Sequence, residues 1–323
     1  MAEPCGSFAG NPLCHRHFRH LKSVGNMPDY CRPSVGFGAY AQIILKNIER
    51  RRYPTFPFLE DQLLSLITGG GNIMAWGTYW GVDSASPANK SPNGGSQTLF
   101  EAVVSYFGTT PSFWGRYING PYAMDSAEAN YILNDNAVNI LVLYVASHIA
   151  DGYNGGTTDA HDAISTLETL QNNAGGQLEC AIFVDIENGD LGGATESDLS
   201  GYLRGWADTI YSSVTYYPGF YYPTDCSNSA PYGCAYQQAL SDSNVANAWL
   251  YSPHPEPGCS GPPGPSGPPD APCCNGTEYG NARLAVWQYA ESCCPCICYN
   301  PTTRLDNGPC VDLDEANTGV IFW

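Results

Sequence analysis

The stretch CAIFVDIENGD (180–190) sets two carboxylates, Asp185 and Glu187, one residue apart at the end of an apolar run. A strand alternates faces with period two, so Ile182, Val184 and Ile186 point one way while Phe183, Asp185 and Glu187 point the other. Burying ionised carboxylates is costly, and proteins tolerate that cost mainly where the charge is used. Two further acids sit in comparable settings, Asp83 in GVDSAS (81–86) and Asp312 in VDLDEA (311–316). Paired carboxylates suit cleavage of a glycosidic bond, where one acts as acid and the other as base or nucleophile. Crowding raises the pKa of one partner and keeps it protonated as the acid. That chemistry calls for no cofactor and no metal.

From about residue 74 the chain alternates strand-like and helix-like runs. Strands are expected at 76–83, 112–118, 139–147, 179–187, 218–223, 247–252, 283–290 and 310–316. Helices are expected at 96–108, 125–137, 157–173, 195–213 and 234–244, with caps at Asp125/Glu128 and Thr195/Asp198. Alternation of this kind implies a parallel sheet, and eight such units in about 250 residues suit an α/β, TIM-like (β/α)8 barrel. A doubly wound open sheet is the runner-up, weakened because no glycine-rich phosphate fingerprint follows the first strand. In a barrel, reactive groups sit at the C-terminal ends of strands, so these acids would meet at one mouth.

The last two connections are not helical. Residues 253–282 carry GCSGPPGPSGPPDAPCCNG, a stiff Pro/Gly/Cys-rich loop, and 291–309 carry SCCPCICYNP. Zinc is disfavoured there, since no pair of CxxC motifs is present. Residues 1–73 form a separate, cysteine-containing N-terminal arm ahead of the barrel at 74–323. His15, His17 and His20 in that arm could hold a metal, but a solvated basic segment is the stronger reading. Residues 1–70 carry a net charge of +3 and the remainder −21, within a total of −18. So acidic a chain argues against a nucleic-acid partner. No run of about 18 apolar residues exists to span a membrane. The 14 cysteines read as a disulfide framework, and the sequons at Asn89 and Asn275 are compatible with an extracellular protein. The N-terminus MAEPCGSFAG shows no signal core, so either a signal has been removed or export is unusual.

GVDSAS, FVDIE, PGFYYP, WQYA and VDLDEA occur in the order, and at roughly the intervals, of the family-25 glycoside hydrolases, the lysozyme-like muramidases. FWGRYI (113–118) and the pairs Asp159-Ala160 and Asp162-Ala163 resemble still more the related glycoside-hydrolase-like barrels of uncharacterised function. The resemblance covers about residues 74–323 and rests on the ordered set. It implies Glu187 as general acid, Asp185 and Asp83 orienting substrate or stabilising positive charge, and Asp312 supporting them. It also implies a polysaccharide partner such as peptidoglycan. Sugars stack on aromatic rings, so Tyr221, Trp287 and Tyr144 are candidate contacts, although aromatics also fill barrel cores. Arg116, a lone cation on an apolar strand, joins them as a candidate; it pairs with a lumen acid or sits at a strand end in solvent. The alternative function is a structural or surface-assembly subunit on a hydrolase barrel, self-associating by docking the basic arm on a neighbour's acidic body.

Overall fold

A computed structural model of the protein describes residues 79–91, 96–176, 178–187, 191–223, 232–253, 271–280, 283–291 and 311–323. The chain divides into two units, Met1–Asn72 and Ile73–Trp323, and all the described residues belong to the second. The basic arm, most of both cysteine-rich loops and the self-association assigned to the arm therefore lie outside the described residues.

Each apolar run of the barrel region forms a strand: Tyr79–Asp83 (β1), Phe113–Tyr117 (β2), Asn139–Val145 (β3), Cys180–Asp185 (β4), Tyr216–Tyr221 (β5), Trp249–Pro253 (β6), Leu284–Ala290 (β9) and Asp312–Ala316 (β10). A short ribbon, Cys273–Cys274 (β7) with Thr277–Glu278 (β8), comes between β6 and β9. The barrel closes in the order β1-β10-β9-β6-β5-β4-β3-β2. Neighbours from β1 through β6 to β9 are parallel, but β10 is antiparallel to both β9 and β1. A parallel β10 would need a connection that crosses to the other end of the barrel; an antiparallel one leaves β9 and returns at the same end without a helix. Strand reversal also puts Asp312, the first residue of β10, opposite Asp83, the last residue of β1.

The helices are Leu99–Phe107 (α1), Ser126–Asn130 (α2), Gly152–Ala174 (α3), Glu196–Ser212 (α4), Tyr232–Ala239 (α5) and Ser243–Asn247 (α6). Thr195 and Asp198 form a full capping box on α4, and Thr98 with Glu101 forms another on α1. At α2 only half of the expected box exists: Asp125 accepts from the Glu128 amide, while the Glu128 carboxylate turns elsewhere. Helix α3 begins five residues before its predicted start, through the weak helix formers Gly155 and Gly156. Close packing overrides propensity there. A Cβ at Gly155 would lie 1.9 Å from the His148 carbonyl oxygen, and one at Gly156 2.1 Å from that of Tyr202.

Two apolar layers follow from period-two alternation. Ile140, Val142, Ile182, Val184 and Phe220 pack outward against the helices, while Phe113, Leu141, Leu143, Phe183 and Trp249 fill the lumen. The end of the barrel opposite the acids is sealed by the segment after β10. There Trp323 exchanges backbone hydrogen bonds with Ile140, Ile321 accepts from Ala181, and Phe322 stacks on Phe113 with centroids 4.9 Å apart. Cys234 on α5 is disulfide-bonded to Cys274 of the β7–β8 ribbon, and Cys273 is disulfide-bonded as well. Among the described residues only Cys180, buried in β4, is a free thiol, and no helix is long and apolar enough to cross a membrane.

Candidate active site

Asp83, Asp185, Asp312 and Asp314 share the lumen parity of their strands, which is why they converge at one end. In register, Asp83 faces Asp312 and Gly81 faces Asp314. Gly115 of β2 makes the room, since a Cβ there would lie 2.4 Å from the Asp83 Cβ. Asp83 Oδ2 accepts from the Tyr251 hydroxyl at 2.7 Å and from Gln288 Nε2 at 2.9 Å. The same hydroxyl lies 2.7 Å from Asp314 Oδ1. One phenol proton cannot serve two carboxylates. Burial, reinforced by the charge of Asp83, holds the Asp314 carboxyl well above the usual range. Burial raises Asp83 too, but donation from Tyr251 and Gln288 offsets it. Asp314 is therefore the carboxyl of the pair that is held protonated, beside the phenol that donates to Asp83.

Gln288 links the rest. Its Nε2 also reaches Asp312 Oδ2 at 3.4 Å, and its Oε1 accepts from Tyr221 at 3.2 Å. Tyr221 packs edge-on against Tyr251 with centroids 4.6 Å apart. Across the mouth the Tyr117 hydroxyl donates to Asp185 Oδ2 at 2.8 Å. Burial pushes the phenols of Tyr117 and Tyr221 up, and the charges of Asp185, Asp83 and Glu187 push them further. These tyrosines thus stay neutral donors, and the field of Glu187 reaches both. Glu187 itself is exposed, two residues past the end of β4.

Three expected substrate contacts prove to be elsewhere. Tyr144 lies on the outer face of β3, packed on Trp206 of α4 at 5.6 Å, because its register partner is the outward Val184. Trp287 lies on the outer face of β9 opposite Glu315, next to Tyr289. Arg116 is wholly buried outside the barrel, in neither of the two expected settings. It pairs with Glu128 of α2 (Nε–Oε1 2.7 Å, Nη2–Oε2 3.1 Å) and donates to the carbonyls of Ser84 and Tyr122. Of the expected contacts Tyr221 faces the mouth. Sequence reading missed Asp314, Gln288 and Tyr117. The signal for Asp314 was present, two residues after Asp312 in DLDEA and so on the same face.

Among the described residues no group of three or more His, Cys, Asp or Glu side chains is arranged to hold a metal ion. Of the two sequon asparagines, Asn275 is exposed at φ +50° in the turn between β7 and β8, followed by Gly276 at φ +77°. Asn89 is half-buried, with its Oδ1 enclosed.

The chain is similar to an uncharacterized protein of B. stearothermophilus, at 26% identity over 74% of this chain and 96% of that one, with a TM-score of 0.54. Lesser likenesses are to the spore cortex lytic enzyme SleM of Clostridium perfringens (13% identity, 76% and 68% covered, TM-score 0.46) and to GHIP, a glycosyl hydrolase 25 of Streptococcus pneumoniae (8%, 76% and 87%, 0.41). In fold the chain is a closed eight-stranded barrel with helices, α/β in class. At such identities the likeness is one of fold, and fold does not assign function. No family model matches the chain, and no curated protein does.

Proposed function

We propose that this glycoside-hydrolase-like barrel cleaves an amino-sugar polysaccharide such as peptidoglycan, with Glu187 as the general acid. The observation that carries the proposal is the common mouth. Asp185 ends β4 at the same end as Asp83, Asp312 and Asp314, framed by neutral phenol donors, and Glu187 follows two residues on, near enough for its charge to act on Tyr117 and Tyr221. Glu187, exposed at the rim, delivers its proton to the glycosidic oxygen. Asp185, fixed by Tyr117, and Asp83, fixed by Tyr251 and Gln288, turn negative oxygens toward the positive charge that develops at the anomeric carbon. Asp312 supports Asp83 through Gln288. Peptidoglycan is favoured by the ordered motifs shared with the lysozyme-like muramidases. The Cys234–Cys274 disulfide favours an oxidising, extracellular setting.

Wild type and Glu187→Gln are incubated with peptidoglycan and a panel of chitin-like polymers, and new reducing ends are counted. Wild type is expected to release them and the variant to lose about 10²-fold or more, the size of a general-acid contribution. Equal release by both would remove Glu187 from the chemistry. No release by either, with the variant folded, would favour a barrel that has kept the acids without the activity.

A further inference from the structure

Tyr122 is the last residue of the Gly120–Tyr122 turn that follows β2 and is 51% exposed. Single exposed aromatics are common and need no explanation by themselves. The frame around this one is what calls for it. Asn119 locks the start of the turn to the end of β3, its Nδ2 donating to the Val145 carbonyl at 2.9 Å and its Oδ1 accepting from the Val145 amide at 2.7 Å. The far side returns to β2 through Met124 N to the Tyr117 carbonyl at 2.9 Å. Arg116 holds the Tyr122 carbonyl at 3.0 Å from its Nη2, and the same guanidinium holds the carbonyl of Ser84, the residue after Asp83. A fully buried charge and its Glu128 partner are thus committed to fixing two loops of the mouth.

The ring so held lies next to a tyrosine that bonds one of the acids. Its centroid is 6.2 Å from that of Tyr117, whose hydroxyl bonds Asp185. Tyr122 therefore stands one aromatic ring away from Asp185, with much of its own ring in solvent. We propose that Tyr122 is a sugar-stacking platform, a subsite that receives the C–H face of a pyranose ring of the glycan next to the one being cleaved. The inference rests on the site being a glycan site and names one of its binding residues. It gives Arg116 a role as a positioning residue: it touches no sugar, but it sets the height and orientation of the platform relative to Asp83 and Asp185.

The test uses the full chain carrying Glu187→Gln, so that binding is read without turnover, and measures depletion isotherms on purified insoluble peptidoglycan and on chitin. Adding Tyr122→Ala is expected to weaken binding roughly three- to tenfold, the range of one aromatic contact. Tyr122→Trp is expected to restore it, because stacking needs a ring and not the hydroxyl. The thermal midpoints of both are expected to match the parent, since the side chain is half in solvent. Unchanged binding by Tyr122→Ala, failure of Tyr122→Trp to restore it, or a parent that binds neither polymer would overturn the platform. The catalytic assignment fails differently: Glu187→Gln that still releases reducing ends sinks the acid and leaves the Tyr122 comparison standing.

Discussion

Tyr251 is the residue on which the deep half of the site turns. Its hydroxyl is 2.7 Å from both Asp83 and Asp314, so the two carboxyls are coupled through one phenol and hold one extra proton between them. Tyr251→Phe keeps the ring against Tyr221 but removes the phenol donor from both buried carboxyl groups, leaving Asp83 with Gln288. A buried polar group deprived of its partner costs about 1–3 kcal/mol, and urea unfolding should show a loss of that size. In an Asp314→Asn background the loss should be different, since the amide changes what the phenol has to satisfy; strict additivity would mean the three groups are not one network. Period-two alternation alone was enough to put Asp185 on the face of Phe183, while Glu187 lies past the end of β4, where strand parity no longer applies. The faces of Tyr144, Trp287 and Arg116 were not legible in that way. Which face of a strand looks inward depends on its register with the neighbour, as Val145 with Asp185 or Gln288 with Asp314, and register is not written in one strand's residues. On β9 a shift against both neighbours hides it further.

At the scale of elements, the unexpected piece is the joint between β2 and α2. The carboxylate that would have completed a capping box on α2 instead accepts two bonds from Arg116 and one from the Ala88 amide at 2.8 Å. One ion pair thereby connects β2, α2 and the loop after β1. Glu128→Ala leaves the guanidinium buried and uncompensated, and removal of one partner of a buried pair costs about 3–5 kcal/mol. Chemical denaturation should register that loss, whereas Glu168→Ala on the exposed face of α3 should stay within about 0.5 kcal/mol of wild type. A loss for Glu128→Ala as small as that surface value would mean the pair does not hold the joint. Sequence alone could place α2 and its Asp125 cap but not this diversion, since a glutamate three residues after a cap reads as a capping box whatever stands across from it. The early start of α3 was hidden for a similar reason: glycines that argue against a helix in isolation permit its contact with α4, where a Cβ at Gly205 would lie 2.0 Å from the Tyr153 carbonyl oxygen.

Among the described residues the buried carboxyls and His148 are displaced with one sign, upward. Glu315 is buried on the outer face of β10 between Trp80 and Trp287 in register, and burial pushes its carboxyl up to about 7 from an ordinary 4.5. Asp83 and Asp314 are raised as well. His148 is raised from 6.5, mainly by its bond to the buried Asp159, which also accepts from Tyr202 at 2.6 Å and from the amides of Ser147 and His148. In each case the folded chain binds more protons than the unfolded chain between the two pKa values, so stability falls as pH rises through that window. The net charge of −18 adds repulsion in the same direction. Asp198, lowered by its capping bonds to Thr195, acts oppositely, but its window lies below the ordinary carboxylate range of 3.8. The thermal midpoint is therefore expected to be highest in mildly acidic buffer, near pH 5, and to decline toward pH 8. Glu315→Gln isolates one part of that slope. It mimics the protonated side chain at every pH, so wild type and variant should converge below about 4.5, and the variant should gain on wild type as pH rises from there, with the full difference reached by about 7. Parallel curves for the two proteins would show that Glu315 ionises in the folded chain as it does in the unfolded one, and the slope would then belong to the mouth acids and His148.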